Sequence, residues 1–164
     1  MPSIPFSQLP DSARVWIFAA SDPLVGEPAK VLLAEVDAYL AEWKAHGLPL
    51  TTAREWRDDR FLAIGVDQRD AHASGCSIDG LFRVLQRLQQ SLGTSLVGGG
   101  RIFYRSDGSI VCVSRADFAS YGASGRVAGD TPVFDTTVTS AGAYRSQFER
   151  PASAGWHGAL LDDS

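Results

Sequence analysis

The sequence predicts an α+β fold: an antiparallel sheet with helices packed on one face, ferredoxin-like in its βαββα first part, then a β-hairpin and C-terminal helices. Three observations support this prediction. Apolar extended runs and amphipathic helical segments succeed one another from residue 15 onward. Short polar joints mark two hairpins. No internal repeat or long linker interrupts the chain.

Length and composition indicate one globular domain. The chain has 164 residues, of which 45% are hydrophobic and 21% charged, and this is ordinary globular usage. Residues 1–13 contain Pro2, Pro5 and Pro10 and are predicted to form an N-terminal tail. Residues 14–164 are predicted to form a single α+β domain.

The first strand and the first helix follow from hydrophobic periodicity. Val15–Ala19 is apolar at both alternating sets of positions, which predicts a strand buried on both faces. Pro28 stands where a helix opens, and apolar residues then recur at helical spacing as far as Trp43. Gly47 is placed to form the left-handed C-terminal cap.

A hairpin and a second helix come next. Thr51–Arg57 and Arg60–Val66 are extended runs joined by Asp58-Asp59, a short polar joint typical of a hairpin. Six apolar residues at helical spacing then predict the second helix; they are Ile78, Leu81, Phe82, Leu85, Leu88 and Leu92.

The C-terminal part repeats the alternation of hairpin and helix. Arg101–Arg105 and Ser109–Val113 flank Ser106-Asp107-Gly108, which predicts a second hairpin. Ser114 with Asp117 resembles a capping box that opens a short helix.

The last predicted elements are a strand and a helix. Pro132–Val138 is predicted to be a further edge strand, and Ser140 to cap a last helix that Pro151 ends.

Charge and targeting signals exclude several classes of protein. The formal charge is -4 without a clustered run of Lys or Arg, which argues against binding to nucleic acid. No stretch approaches the roughly 20 apolar residues that span a bilayer, and no secretory signal precedes the domain. We therefore expect no membrane association, a cytoplasmic location and reduced thiols at Cys76 and Cys112. The residues predict no metal and no cofactor, and they leave the oligomeric state open.

The chemistry-bearing segment surrounds Cys76, where the second helix begins. A thiol in the first turn of a helix faces unpaired N–H groups and the positive end of the helix dipole, which favour the thiolate. Ser74, Gly75 or Cys76 itself is the N-cap, and Asp79 then falls in the first turn. The same N–H groups could hold a substrate anion.

Two functional hypotheses follow, and we favour the first. In the first, the chain is a small domain that binds a small anionic or acyl ligand, or a partner's carboxylate, at this helix N-terminus. The ligand-binding residues are then Ser74, Gly75, Ser77, Asp79, His46 and Trp156.

In the second hypothesis, the chain is a thiol-dependent enzyme for acyl transfer or hydrolysis. Cys76 is the nucleophile, and Asp67 with His157 or His46 handles protons or positions the substrate. Asp79 disfavours the thiolate by its negative charge, so that reactivity requires an imidazole partner. A weaker third possibility is a protein-interaction subunit.

The motifs also carry a resemblance. Trp43, His46-Gly47, Val66-Asp67-Gln68, the run Ala73 to Asp79 and Trp156-His157 together resemble a family of small bacterial proteins. Its mark is Ser-Gly-Cys-Ser-Ile-Asp, and some members are labelled ABC transporter ATPases. The resemblance implies no established reaction. The chain has no Walker lysine, so we do not expect an ATPase.

Overall fold

The computed structural model describes residues 4–45, 48–49, 51–68, 75–97 and 100–162. Its packing divides the chain into two units. The first unit comprises residues 1–97 and 137–145, and the second comprises residues 98–136 and 146–164. Both contain antiparallel strands together with helices, which confirms the α+β class. The predicted single domain over 14–164 stays a prediction.

The elements succeed one another in the following order. They are β1 (Arg14–Ala19), α1 (Glu27–Glu42), β2 (Lys44–Ala45), β3 (Leu48–Pro49), β4 (Thr51–Arg57), β5 (Phe61–Asp67), α2 (Gly75–Leu92), β6 (Arg101–Ser106), β7 (Ser109–Ser114), α3 (Arg115–Ala123), β8 (Pro132–Phe134), α4 (Ala141–Gln147), β9 (Glu149–Pro151) and α5 (His157–Asp162). One 3₁₀ turn, Phe6–Gln8, precedes β1, and another, Ala152–Ala154, precedes α5.

The first unit is built on a three-stranded antiparallel sheet with the order β1-β5-β4. Every residue of the central strand β5 is buried. The hairpin between β4 and β5 turns at Asp58 and Asp59, which both have φ of 57°. Two consecutive positive φ values match a type I′ turn, and they confirm the predicted hairpin.

Helices α1 and α2 cover one face of this sheet. Their apolar stripes pack with Leu62, Ile64 and Val66, alternate residues of β5. α2 covers the predicted stripe from Ile78 to Leu92 and begins a few residues earlier, at Gly75. Burial of this stripe, rather than helix propensity, holds α2 on the sheet.

The N-terminal segment covers the opposite face of this sheet. The sequence predicted a cover of helices on one face only. Phe6 and Leu9 are buried, and a Cβ on Gly65 would overlap the Leu9 side chain. The Tyr144 ring of α4 packs edge-on against Phe6 at 5.3 Å between centroids. A strand that is apolar on both faces needs a second cover, and residues 4–13, predicted to be a tail, supply part of it.

The second unit contains a four-stranded antiparallel sheet with the order β7-β6-β8-β9. The predicted hairpin of β6 and β7 is confirmed, with positive φ at Asp107 and Gly108. Ser114 caps α3 by accepting the Asp117 N–H at 3.0 Å, as predicted. Phe118 of α3 is fully buried in the core of this unit.

Three local predictions are wrong. α1 ends at Glu42 with an extended Trp43 as its C-cap, so Gly47, which lies outside the described residues, does not cap it. β8 is shorter than Pro132–Val138 and lies between β6 and β9 instead of at the edge. Pro151 does not end α4, because the chain is already extended in β9. In each case the pairing of strands overrides what the local sequence indicates.

Candidate functional site

The predicted site belongs to the end of the first unit where β5 stops and α2 begins. Asp67 is the last residue of β5 and is 9% exposed. Thr52 on β4 pairs with Val66, the residue before it, and is fully buried. Because side chains alternate along a strand, Asp67 lies on the opposite face of the sheet from Val66 and Thr52, so the two buried polar residues share this end of the sheet but not one face.

The beginning of α2 lies beside the last turn of α1. The helices run antiparallel, because Arg87 Nη2 donates to Glu35 Oε2 at 3.2 Å while Tyr39 lies against Gly80. The contact at Gly80 is so close that a Cβ there would overlap the Tyr39 hydroxyl. Beyond this contact, α1 ends at Glu42 and is followed by Trp43, while α2 has its first residue at Gly75. The end of α1 and the beginning of α2 therefore lie on the same side of the contact.

Two buried polar atoms at this end need a hydrogen-bond partner. Trp43 is 3% exposed and packs on Trp16 and Tyr39 with ring centroids 6.0 and 5.8 Å away. Neither Trp43 Nε1 nor Thr52 Oγ1 is hydrogen-bonded to any residue that the structure describes. An unpaired buried polar group costs about 1–3 kcal/mol. A hydrogen-bond partner for either group would have to come from outside the described residues.

Several predicted site residues lie outside the part of the chain that the structure describes. Gly75 and Cys76 are the first two residues of α2. His46 and Ser74 lie outside the described residues altogether, as do the side chains of Cys76 and Ser77. The surroundings of the thiol therefore stay a prediction.

Asp79 lies further along α2 than the sequence suggested. It is exposed and is the fifth residue of the helix, and Arg83 Nε donates to its carbonyl oxygen at 3.4 Å. The expectation that Asp79 occupies the first turn is wrong, because a helix that begins at Gly75 places it in the second. Its charge acts on the helix dipole more weakly there.

Trp156 and His157 belong to a buried cluster in the second unit. His157 is 1% exposed and stacks on the Trp156 ring at 3.8 Å between centroids. Trp156 Nε1 donates to Asp135 Oδ1 at 3.1 Å, and Arg150 Nη2 donates to Asp135 Oδ2 at 2.8 Å. The buried Asp135 carboxylate therefore accepts a hydrogen bond from each of Trp156 and Arg150. Trp156 thus has a structural partner.

The imidazole of His157 is neutral at pH 7. Burial lowers its pKa to about 4, and Arg150 and Arg115 act in the same direction while Asp135 opposes them. Within the described chain its Nδ1 has no hydrogen-bond partner. His157 lies in the second unit, whereas Cys76 and Asp67 lie in the first. Their grouping as a catalytic set stays a prediction.

A cleft in the first unit is lined by residues that the sequence did not single out. It has a volume of about 570 Å³, and its lining includes Phe6, Glu55, Arg57 and Tyr144. The Tyr144 hydroxyl donates to Glu55 Oε2. Burial, and then this hydrogen bond, raise the pKa of Tyr144, so that the phenol keeps its proton.

One half of this cleft has a sequence signal and the other has none. Glu55 and Arg57 are two residues apart on a predicted strand, which places them on one face. Tyr144 is 89 residues from Glu55 along the chain, and no local pattern announces that contact.

Two other features bear on the class of site. No cluster of three or more His, Cys, Asp or Glu side chains able to hold a metal occurs within the described ranges. Among the described helices, none has both the length and the apolar composition needed to cross a bilayer.

Comparisons with models of protein families, with curated proteins and with solved structures find no match for this chain.

Proposed function

We propose that the chain binds a small anionic or acyl ligand, or the carboxylate of a partner, at the end of the first unit where α2 begins. Trp43 Nε1 and Thr52 Oγ1, which have no hydrogen-bond partner among the described residues, carry this proposal. Trp43 follows α1 and Thr52 lies near the start of β4, both in the unit in which α2 begins, and a ligand with acceptor oxygens would satisfy these donors together with the N–H groups of the helix N-terminus.

The residues assigned to the ligand are those around the first turn of α2. Ser74, Gly75 and Ser77 supply backbone N–H groups, and Gly75 allows close approach of the backbone. Thr52 adds a donor from β4, and Trp43 adds one from the C-cap of α1. A carboxylate or phosphate is the ligand class that uses only acceptors and gains from the helix dipole.

We also retain two finer predictions. The order βαββα and the sheet order β1-β5-β4 support a ferredoxin-like description of the first unit. A cytoplasmic location stays a prediction, and the acidic net charge supports a partner other than nucleic acid.

Two buried threonines give a matched test of the Thr52 hydroxyl. Thr94 is also buried, but its Oγ1 is hydrogen-bonded to the Ser21 hydroxyl at 3.0 Å and accepts the Asp22 N–H at 3.2 Å. We expect Thr52→Val to raise the free energy of unfolding of the unliganded chain by about 1 kcal/mol, and Thr94→Val to lower it by a similar amount. If both variants lose stability alike, the Thr52 hydroxyl has a protein partner and the proposal falls.

Ligand binding itself is measured by NMR titration of the ¹⁵N-labelled chain. The probes are inorganic phosphate and acetate, with sodium chloride at matched ionic strength as control. We expect saturable shifts of the amides of residues 75–79, weakened about tenfold by Thr52→Val and unchanged by Thr94→Val. Shifts that do not saturate, or that chloride reproduces, contradict the proposal.

The thiol-dependent enzyme is the second candidate, and Cys76 at the second position of α2 favours it. Replacing Cys76 by Ser separates the candidates, because a binding protein keeps its phosphate or acetate affinity while an enzyme loses turnover. 4-Nitrophenyl acetate is a suitable acyl substrate. Turnover that depends on Cys76, and on Asp67 or His157, would make the enzyme the better description.

A further inference from the structure

The C-terminal helix α5 is anchored in the second unit by a titratable residue. Among its described side chains only His157 is buried, while Leu160 and Leu161 are half-buried against the core of that unit. Isolated helices shorter than about 12–15 residues are marginal in water, and α5 has only 6 residues. The helix therefore keeps its place only if the surroundings of His157 tolerate that side chain.

Aromatic rings enclose the imidazole of His157. Trp156 stacks on it at 3.8 Å between centroids, and Phe118 of α3 meets it edge-on at 6.4 Å. His157 is 1% exposed, and its Nδ1 has no hydrogen-bond partner among the described residues. These surroundings suit a neutral ring, because an imidazolium buried there exchanges its hydration for an apolar environment.

The charged groups that act on His157 come from three other elements. Asp135 follows β8, Arg150 lies on β9 and Arg115 begins α3. The Asp135 carboxylate already accepts from the Arg150 guanidinium at 2.8 Å. The 3₁₀ turn Ala152–Ala154, which packs on α5, has no ionisable side chain. A positive charge on His157 would thus face two arginines and one carboxylate that already has a cation.

Docking of α5 and protonation of His157 therefore oppose each other. Burial lowers the pKa of His157 from 6.5 to about 4, with Asp135 opposing this effect and the two arginines adding to it. On release into water the imidazole regains its ordinary pKa, so the docked helix binds the proton roughly 300-fold less tightly than the released one. Docking is thus favoured in full above pH 7, and its equilibrium constant falls roughly 100-fold between pH 7 and pH 4.

A cavity beside α5 limits what the rest of the helix adds to docking. It has a volume of about 290 Å³, and its lining includes Ala159 and Leu161 of α5 together with Gly129 and Ser153. Atoms that border a void lack the dispersion contacts that dense packing supplies. Leu161 also packs on α3, where a Cβ on Gly122 would overlap its side chain. We therefore expect a modest docking constant, within reach of a single protonation.

We propose that α5 is an acid-responsive switch: protonation of His157 releases the helix from the second unit and uncovers the apolar core around Phe118. The hydrogen bond from Trp156 Nε1 to Asp135 Oδ1 holds the residue that precedes the helix, so the movement is confined to residues 157–162. This switch is independent of the ligand site proposed at the beginning of α2, which belongs to the first unit.

NMR of the ¹⁵N-labelled chain between pH 7.5 and pH 4 tests the switch. We expect the amides of residues 158–162 to lose their heteronuclear NOE and to move to random-coil shifts, with a midpoint between about pH 6 and pH 4. The amides of α3 and β6 should keep their folded shifts over the same range. An ordered α5 at pH 4, or unfolding of the whole second unit together with α5, overturns the proposal.

Two variants separate His157 from the other groups that titrate in acid. His157→Gln carries no titratable ring, so α5 should stay docked at pH 4. Asp117→Asn is the matched control, because it removes an exposed carboxylate from the same unit and should leave the midpoint unchanged. Release of α5 from His157→Gln at the midpoint of the natural chain overturns the proposal.

The ring signals of His157 in the natural chain keep the proposal falsifiable if His157→Gln does not dock α5 at any pH. Protonation of the ring, followed through its Hε1 shift, should coincide with the loss of order in residues 158–162. A ring that protonates near pH 6.5 while α5 stays ordered overturns the proposal. Binding of phosphate or acetate at the beginning of α2, measured at pH 7, bears on the proposed function alone.

Discussion

His157 brings a titratable group into the interior of the second unit. Its pKa in the folded chain is about 4, lowered first by burial, whereas an unfolded histidine titrates near 6.5. Between these two pH values the unfolded chain binds a proton that the folded chain does not. The contribution of His157 to the free energy of unfolding should therefore be constant above pH 7, and it should fall as the pH drops from 6.5 toward 4.

We expect that loss to reach about 3 kcal/mol at pH 4. The loss that comes from His157 is measured by urea unfolding of the natural chain and of His157→Phe at every half pH unit from 4 to 8. The difference between the two curves should bend below pH 6.5. Asp135, Arg150 and Arg115 face the imidazole in both proteins, so their own titrations largely cancel. A flat difference would show that the imidazole is solvated.

Asp135 is the most consequential charge in the same cluster. Its side chain is 4% exposed and accepts from Arg150 and Trp156. Asp135→Asn leaves the Arg150 guanidinium without its counter-ion, so we expect a loss of about 3 kcal/mol in the free energy of unfolding.

Asp37→Asn is the control for Asp135→Asn, because Asp37 also pairs with an arginine but is 52% exposed. Exposed ion pairs contribute at most about 1 kcal/mol. Equal losses in the two variants would mean that burial of the Asp135 pair has no energetic consequence.

The contact between α1 and α2 determines where the proposed site lies. Alanine at Gly80 improves helix propensity by up to about 1 kcal/mol, but its Cβ overlaps the Tyr39 hydroxyl. Overpacking of this kind costs about 1–3 kcal/mol. We expect Gly80→Ala to destabilise the natural chain by about 1 kcal/mol and to be nearly neutral when Tyr39 is Phe.

A double-mutant cycle on Gly80→Ala and Tyr39→Phe, followed by chemical unfolding, measures this coupling. Simple additivity would show that the two helices do not meet at these residues. The beginning of α2 would then lose its placement beside Trp43.

Elements formed by local signals could be predicted, and those formed by distant pairing could not. The stripe of α2 and the turns at Asp58-Asp59 and Asp107-Gly108 are encoded within a few residues, and the structure has them. The pairing of β8 with β9 is not local, and it overrides the helix-stop signal of Pro151.

The residues of the proposed site also fall into those that a local pattern predicts and those that it does not. Helix periodicity alone indicates that a helix begins close to Cys76. By contrast, burial of Thr52 and Trp43 depends on the packing of β4 and α1 around that point, which no single segment encodes. Tyr144 joins Glu55 only because the chain returns to the first unit at residues 137–145.

At the scale of the whole molecule, Arg145 connects the beginning of the chain with its return segment. It donates to carbonyl groups of Phe6 and Leu9, 139 and 136 residues away. We expect Arg145→Met to cost about 2 kcal/mol and to expose residues 4–13 to limited proteolysis.

Lys30→Met is the control, because the Lys30 side chain is 76% exposed and pairs with Glu27 within one turn of α1. It should change stability by less than about 0.5 kcal/mol. An N-terminus equally resistant to protease in both variants would refute the clamping role of Arg145.

Alkylation of Cys76 in the presence of a ligand tests the proposed function most directly, because the thiol reports on the first turn of α2. Iodoacetamide modification of Cys76 and Cys112 is followed in one sample by mass spectrometry, with phosphate or acetate added at constant ionic strength. We predict that either anion slows modification of Cys76 and leaves the half-buried Cys112 unaffected. Rates that stay the same at Cys76, or that fall equally at both cysteines, would contradict a ligand site at the beginning of α2.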